Sequence, residues 1–237
     1  GIETSALTIH SDMILSPEQL ADLGEMLERR SQGEPLQYIL GEWEFMGLPF
    51  YVDARALIPR QDTELLAETA IRLIRERGYR SCLDLCTGTG CLGISIAKLG
   101  GIPVKCSDIS REAIALAKEN AELNEADVSF VESDLLERIP EKFDMIVCNP
   151  PYLTLDEMQA LQKEVTFEPK LALYGGGDGL DFYRKIAWEY QSHLNENGML
   201  LLEIGSTQSA SAAALFSAKT SVLQDLCGNP RVLIVET

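Results

Sequence analysis

The chain has 237 residues, 46% of them hydrophobic and 24% charged, which suits one large soluble α/β domain with a small appendage. Its formal net charge of −17 opposes a nucleic-acid backbone, which rewards clustered Lys and Arg, and favours a protein partner with a basic surface. No apolar run approaches the roughly 20 residues that span a bilayer, and no secretory pattern opens the chain. The first residue is Gly1, so a processed or trimmed chain is expected.

Residues 1–15 carry little signal. At Ser16 a helix start is well marked: Ser16 as N-cap, Pro17 at the first helical position and Gln19 completing a capping box. Leu20, Leu23, Met26 and Leu27 form an apolar stripe, and Gly33 and Pro35 end the helix. Residues 1–40 therefore read as a small helical part, shortened at its front, that lies on the main domain or closes a small bundle. Glu42-Trp43-Glu44-Phe45-Met46 and Leu48-Pro49-Phe50-Tyr51-Val52 flank Gly47 and predict a hairpin linker over 41–56. The main domain is expected over 57–237. It begins with Leu57-Ile58-Pro59-Arg60-Gln61-Asp62-Thr63-Glu64, a loop entering a helix capped by Asp62 or Thr63, with Leu65, Leu66, Ile71 and Ile74 on the buried face.

From Ser81 onward strands and helices alternate. Strands are predicted near 81–86, 103–107, 127–131, 143–148, 198–204, 220–226 and 231–236, and helices near 91–99, 111–123, 155–163, 179–195 and 207–217. This alternation predicts a mostly parallel sheet with helices on both faces. Only Gly228-Asn229-Pro230 separates the last two strands, so one of them must run antiparallel.

Two stretches stand at the ends of apolar strands: Asp84-Leu85-Cys86-Thr87-Gly88-Thr89-Gly90 and Asn149-Pro150-Pro151-Tyr152. In an open α/β sheet, ligands bind outside the carboxyl ends of the strands. Gly88-x-Gly90-x-x-Gly93 lets backbone approach a ligand and leads into a helix N-terminus. Asp108 closes the second strand, where a carboxylate can accept both ribose hydroxyls. Asp134 follows the third, within reach of an adenine amino group. An adenosine ligand is expected; NAD(H) and S-adenosylmethionine both fit this pattern.

The second stretch offers the Asn149 side-chain carbonyl and the Pro150 backbone carbonyl, held at fixed φ, as two acceptors for a planar NH₂ group, with Tyr152 as an aromatic wall. An amide nitrogen is a poor nucleophile, and two carbonyl acceptors on its N–H groups favour the charge that develops during attack. Six Cys, at 82, 86, 91, 106, 148 and 227, form no C-x-x-C pair, and the chain holds only His10 and His193. Disulfides, a metal site and an imidazole triad are therefore not expected, and a reducing cytoplasmic setting is.

These segments, with Phe167-Glu168-Pro169, Ala172-Leu173 and Gly176-Gly177-Asp178-Gly179-Leu180, resemble the release factor glutamine methyltransferases over about residues 16–237, in the order that family shows them. The resemblance implies a Rossmann-like S-adenosylmethionine-dependent methyltransferase domain with a seven-stranded sheet, preceded by a helical substrate-recognition part. It implies transfer of a methyl group to the side-chain nitrogen of the glutamine in the Gly-Gly-Gln motif of class-1 peptide chain release factors. Cys86, Thr87, Gly88, Thr89 and Gly90 would line the methionine part of the cofactor, Asp108 would hold the ribose, Asp134 and Leu135 would flank the adenine, and Asn149 would reach the cofactor too. Asn149, Pro150, Pro151 and Tyr152 would bind the substrate amide and carry the chemistry, with Arg60 at the mouth of the site. Cys86 departs from the glycine many members have there. A monomer acting in the cytoplasm on a protein, with no membrane or direct nucleic-acid contact, is expected. Adenine-N6 nucleic-acid methyltransferases share the Asn-Pro-Pro-Tyr loop and are the alternative; Glu203, at the end of another apolar strand, is read as bonded to a neighbouring loop.

Overall fold

The computed structural model describes residues 14–237, so the first thirteen residues of the expected helical part, His10 among them, lie outside the described region. Helix α1 (Pro17–Ser31) starts as its sequence predicts, with Ser16 and Gln19 forming the capping box. Its stripe is not buried, however: Leu20, Leu23, Met26 and Leu27 are all exposed, Leu27 at 60%. A short helix α2 (Leu36–Leu40) follows, which the sequence reading did not predict. Strands β1 (Glu42–Phe45) and β2 (Leu48–Tyr51) then form the expected antiparallel hairpin.

The hairpin is docked as well as linking. Buried Asn120 of α5 (Arg111–Leu123) accepts the Tyr51 N–H at 2.7 Å and donates from Nδ2 to the Tyr51 and Thr89 carbonyls. One side chain thus satisfies both the hairpin edge and the loop after β3 (Cys82–Leu85), groups that burial would otherwise leave unpaired.

Helix α3 (Gln61–Arg77) corrects one expectation. Arg60 occupies the N-cap and no side chain caps the helix. Neither Asp62 nor Thr63 is free to do so: Asp62 pairs with Arg231 at 3.1 Å, and the Thr63 hydroxyl is engaged by Glu203 and Asn149. Leu66, Ile71 and Ile74 are buried as predicted, while Leu65 is half-buried.

The sheet adds β4 (Val104–Asp108), β5 (Val128–Glu132), β6 (Phe143–Cys148), β7 (Leu194–Glu203), β8 (Lys219–Gln224) and β9 (Pro230–Glu236) in the spatial order β5-β4-β3-β6-β7-β9-β8. Only β9 runs against the rest, as the short link at Gly228 requires. The order turns outward in both directions from the β3–β6 pair, so the loops leaving these two strands diverge and open a crevice at their carboxyl ends.

Three helices are shorter than predicted, among them α8 (Ser209–Ala213), expected over 207–217. Helix α6 (Leu155–Gln159) buries no residue, and a segment this short without tertiary packing does not propagate. The chain continues as 3₁₀ turns over Lys163–Phe167 and Lys170–Ala172. Helix α7 (Asp181–Glu189) tightens into a 3₁₀ turn at Tyr190, whose ring turns in to meet Phe216 edge-on with centroids 5.5 Å apart, and β7 already begins at Leu194. Helices α4 (Cys91–Gly100) and α8 (Ser209–Ala213) complete the domain.

Candidate active site

At the carboxyl ends of β3, β4 and β6 lies a cavity of about 320 Å³. Its walls include Cys86, Thr87, Gly88, Thr89, Asp108, Asp134 and Leu135 from the loops after β3, β4 and β5, and Asn149 and Pro151 from the loop after β6. Arg60 and Thr63 line it from α3 and the turn before it. Most residues proposed from the sequence therefore converge on one space. Gly90, Pro150 and Tyr152 are not wall residues: Gly90 is the N-cap of α4 and Pro150 is buried between two wall residues.

Tyr152 corrects the expected aromatic wall. Its carbonyl accepts from Gln208 Nε2 at 3.0 Å, and its hydroxyl lies 3.5 Å from Glu203 Oε1. The Gly-rich segment explains why. A Cβ at Gly175 would stand 2.6 Å from Tyr152 Cα, so only glycine lets this segment press the Asn-Pro-Pro-Tyr backbone into place.

The cofactor end is built on Asp84. This residue is 1% exposed; its Oδ2 accepts from the Thr87 hydroxyl and from the Gly93 N–H at 3.0 Å, while Oδ1 has no partner. Gly93 permits this: a Cβ there would lie 2.5 Å from Cys106 Sγ and 2.8 Å from Asp84 Oδ2. The third glycine of the motif is thus needed for helix–strand packing. Burial pushes the Asp84 carboxyl up to about 7, against the two hydrogen bonds that lower it. An unpartnered carboxylate oxygen beside a cavity calls for a positively charged donor. The ammonium of a methionine chain is such a group.

Asp108 stands across the loop. Its Oδ2 accepts the Gly88 N–H and its Oδ1 the Ser110 N–H, both at 2.9 Å, which fixes the carboxylate while each oxygen keeps a second lone pair. That is the arrangement a ribose diol needs. Leu135, Ile109 and Phe182 supply apolar surface for a base. Asp134 is joined at 3.5 Å by Lys185. The residues present therefore fit S-adenosylmethionine: one free acid for the ammonium, one fixed acid for the ribose and an apolar slot.

Cys86 adopts φ +56°, the left-handed region that a Cβ disfavours. Cys86→Gly should therefore raise stability to chemical denaturation by about 0.5 kcal/mol, relief of the strain outweighing the added freedom of the unfolded chain. Cys86→Ala, which keeps the Cβ, should give no gain; equal midpoints for the two variants would remove the strain argument.

Three buried acids escaped the sequence-based site. Asp84 was named only as the start of its stretch. Glu168 accepts the Ile58 N–H at 2.9 Å and pairs with Arg60, tying the cavity wall to the segment between the two 3₁₀ turns. Glu203 is 1% exposed, and its Oε2 accepts from the Thr63 hydroxyl at 2.6 Å. Thr63 in turn accepts from Asn149 Nδ2 at 3.1 Å. The signal available for Asp84 and Glu203 was an acid inside or at the end of an apolar strand; Glu168 follows the mixed run Lys163–Phe167 and carries no such signal.

Among the described residues there is no cluster of potential metal ligands and no helix long and apolar enough to cross a membrane. The six cysteines are free thiols.

Comparison with known proteins agrees with this geometry. Residues 61–196 match the methyltransferase small domain, and residues 1–41 match the PrmC N-terminal domain. The release factor glutamine methyltransferase of Lactococcus lactis is 42% identical over 94% of this chain and 84% of its own length. That of Geobacter sulfurreducens is 43% identical over 92% and 77%. Among solved structures, a ribosomal protein L11 methylase from Lactobacillus delbrueckii superposes with a TM-score of 0.55 at 25% identity, over 75% of this chain and 80% of that one. With a doubly wound sheet, a cofactor cavity at its carboxyl edge and relatives this close over most of their length, the chain belongs to the release factor glutamine methyltransferase family.

Proposed function

We propose that the chain methylates the side-chain amide nitrogen of the glutamine in the Gly-Gly-Gln motif of class-1 peptide chain release factors. The observation that carries this reading is Asn149. Its Nδ2 is spent on Thr63, which leaves Oδ1 as an acceptor at the wall of the cavity that also holds Asp84 and Asp108.

S-adenosylmethionine is the methyl donor, and it supplies an electrophilic methyl group on a sulfonium. The chain's own residues do the rest. Asp84 and Asp108 hold and orient the donor. Asn149 Oδ1 accepts one N–H of the incoming amide, and the Pro150 carbonyl is the second acceptor proposed. Acceptance from the N–H groups stabilises positive charge on nitrogen as its lone pair leaves conjugation. Pro151, Leu171 and Ala172 add apolar wall to the cavity, and attack is favoured only when the reacting atoms are held about 3–3.5 Å apart. The helical part over 1–40 is proposed as the surface that meets the release factor, in a cytoplasmic monomer.

The cations at the cavity do not support a nucleic-acid substrate. Arg55 is paired with Asp53 and Glu119, Arg60 with Glu168, and Lys185 with Asp134. None is left over for phosphates. The test is direct: incubated with S-adenosylmethionine and a class-1 release factor, the enzyme should add one methyl group to the factor, mapped by fragmentation to the Gly-Gly-Gln glutamine. An unmodified factor under conditions where cofactor binding is measured would refute the assignment.

A further inference from the structure

We propose that Thr63 and Glu203 are positioning residues that set which end of the Asn149 amide faces the substrate. The proposal rests on the reading of Asn149 as the amide acceptor. It follows from counting protons. A carboxylate only accepts, and a hydroxyl has one proton to give. Glu203 Oε2 lies 2.6 Å from Thr63 Oγ1, so the Thr63 proton is committed to Glu203. The Thr63 oxygen can then only accept. The atom of Asn149 that approaches it at 3.1 Å must therefore be Nδ2, and Oδ1 is left free. Without this constraint the two ends of the amide are nearly equal in size, and the amide could present an N–H to another N–H.

The relay spans three separate elements: the end of β7, the first turn of α3 and the loop after β6. Local chain geometry does not bring such residues together. Arg231 of β9 clamps the same turn of α3, at 3.1 Å from Asp62 and 3.2 Å from Asp225. Stability alone is a weak reason for the arrangement. Glu203 is fully buried with one close hydrogen bond and one long one to Tyr152, and such an acid contributes little beside an apolar residue of its size.

Protonation of Glu203 would undo the relay. A carboxylic acid can donate to Thr63, the Thr63 proton can turn to Asn149 Oδ1, and the amide then presents Nδ2 inward. Thr63 and Asp62 of α3, Arg231 of β9, Tyr152 of the loop after β6, Cys91 of α4 and Tyr183 of α7, whose hydroxyl donates to the Glu203 carbonyl at 2.8 Å, are the groups that face Glu203; burial, with Asp62, raises its proton affinity, while Thr63, Arg231 and Tyr152 lower it.

The test compares wild type, Thr63→Val and Thr63→Ser, each as the full chain. Thr63→Val should lower kcat roughly tenfold to a hundredfold with S-adenosylhomocysteine affinity changed less than about threefold, and Thr63→Ser should restore most of the turnover. At saturating cofactor, the acid limb of the wild-type kcat profile should be lost in Thr63→Val. Independently of turnover, the Asn149 side-chain amide protons, assigned by Asn149→Asp, should exchange slowly in wild type and Thr63→Ser and rapidly in Thr63→Val. A Thr63→Val enzyme of wild-type kcat, a Thr63→Ser enzyme as impaired as Thr63→Val, or equal amide exchange in wild type and Thr63→Val would each overturn the proposal. Should the wild type leave release factors unmodified while its Asn149 protons exchange slowly, the substrate assignment falls and the relay stands.

Discussion

Replacing Asn149 by alanine is expected to lower kcat by roughly 10²–10³-fold, the usual loss when one preorganised polar group is removed from the reacting centre. The reasoning is differential. Before transfer, the glutamine nitrogen is delocalised into its carbonyl and its N–H groups are weak donors. As the new bond forms, positive charge gathers on nitrogen and those N–H groups become strong donors. An acceptor fixed beforehand gains most at that moment, so its loss falls on kcat more than on binding. Cofactor affinity should be little altered, because Asp84 and Asp108 sit on other strands and keep their own backbone donors, Gly93, Gly88 and Ser110. Asn149→Asp separates charge from geometry. It keeps an oxygen at the same place, but a carboxylate beside the Thr63 hydroxyl competes with Glu203 for that single proton. Calorimetric titration with S-adenosylhomocysteine and single-turnover methylation distinguish the outcomes. Equal damage to cofactor affinity and turnover would show that Asn149 serves the cofactor pocket instead.

The parallel sheet was the most legible part of this chain. Strands such as Phe143–Cys148 are buried along most of their length and read as continuous apolar runs, because helices cover both faces. The reversed strand was legible from chain length alone, since three residues cannot make a crossover. The cofactor loop was legible because glycines and a strand-end acid leave a local pattern. What escaped had no local pattern. Whether Tyr152 faces the cavity depends on Gly175 and Gln208, distant in sequence. Whether Thr63 caps its helix depends on Glu203, 140 positions away. Short helices failed for a related reason: α6 has a complete capping box from Thr154 and Glu157, yet no core to pack on. In α1 the amphipathic stripe was legible as a pattern, yet its residues are exposed, because periodicity says which residues share a face and nothing about what covers that face.

The ligand-free protein should lose stability as pH rises from about 4 to about 7, the reverse of ordinary acid denaturation. Three buried acids drive this, Asp84 and Glu203 most, and Asp108, which burial also raises, to a smaller extent. Burial raises Asp84 from its ordinary 3.8, and Glu203 from 4.5, each to about 7. An acid whose folded value exceeds its unfolded value holds its proton more tightly when folded. Its contribution is therefore complete below the unfolded value and lost as pH climbs through the folded one. The shifts correspond to an upper bound of about 4 kcal/mol for Asp84 and about 3 kcal/mol for Glu203. Exposed acids held low by partners, such as Asp178 and Asp225, oppose this only below their ordinary range, so stability should peak near the bottom of the window. The cofactor product should blunt part of the effect. Its ammonium favours ionised Asp84, so binding should release a proton below pH 7 and affinity should rise with pH, while nothing in the ligand answers Glu203. Thermal melts between pH 5 and 8, with and without S-adenosylhomocysteine, read the stability. Titrations in buffers of different ionisation enthalpy read the proton, and Asp84→Asn should abolish its release. A melting temperature that climbs steadily over this range without ligand would mean that these acids are already ionised in the folded protein, and the unpartnered oxygen of Asp84 would then no longer single out a cation as its ligand.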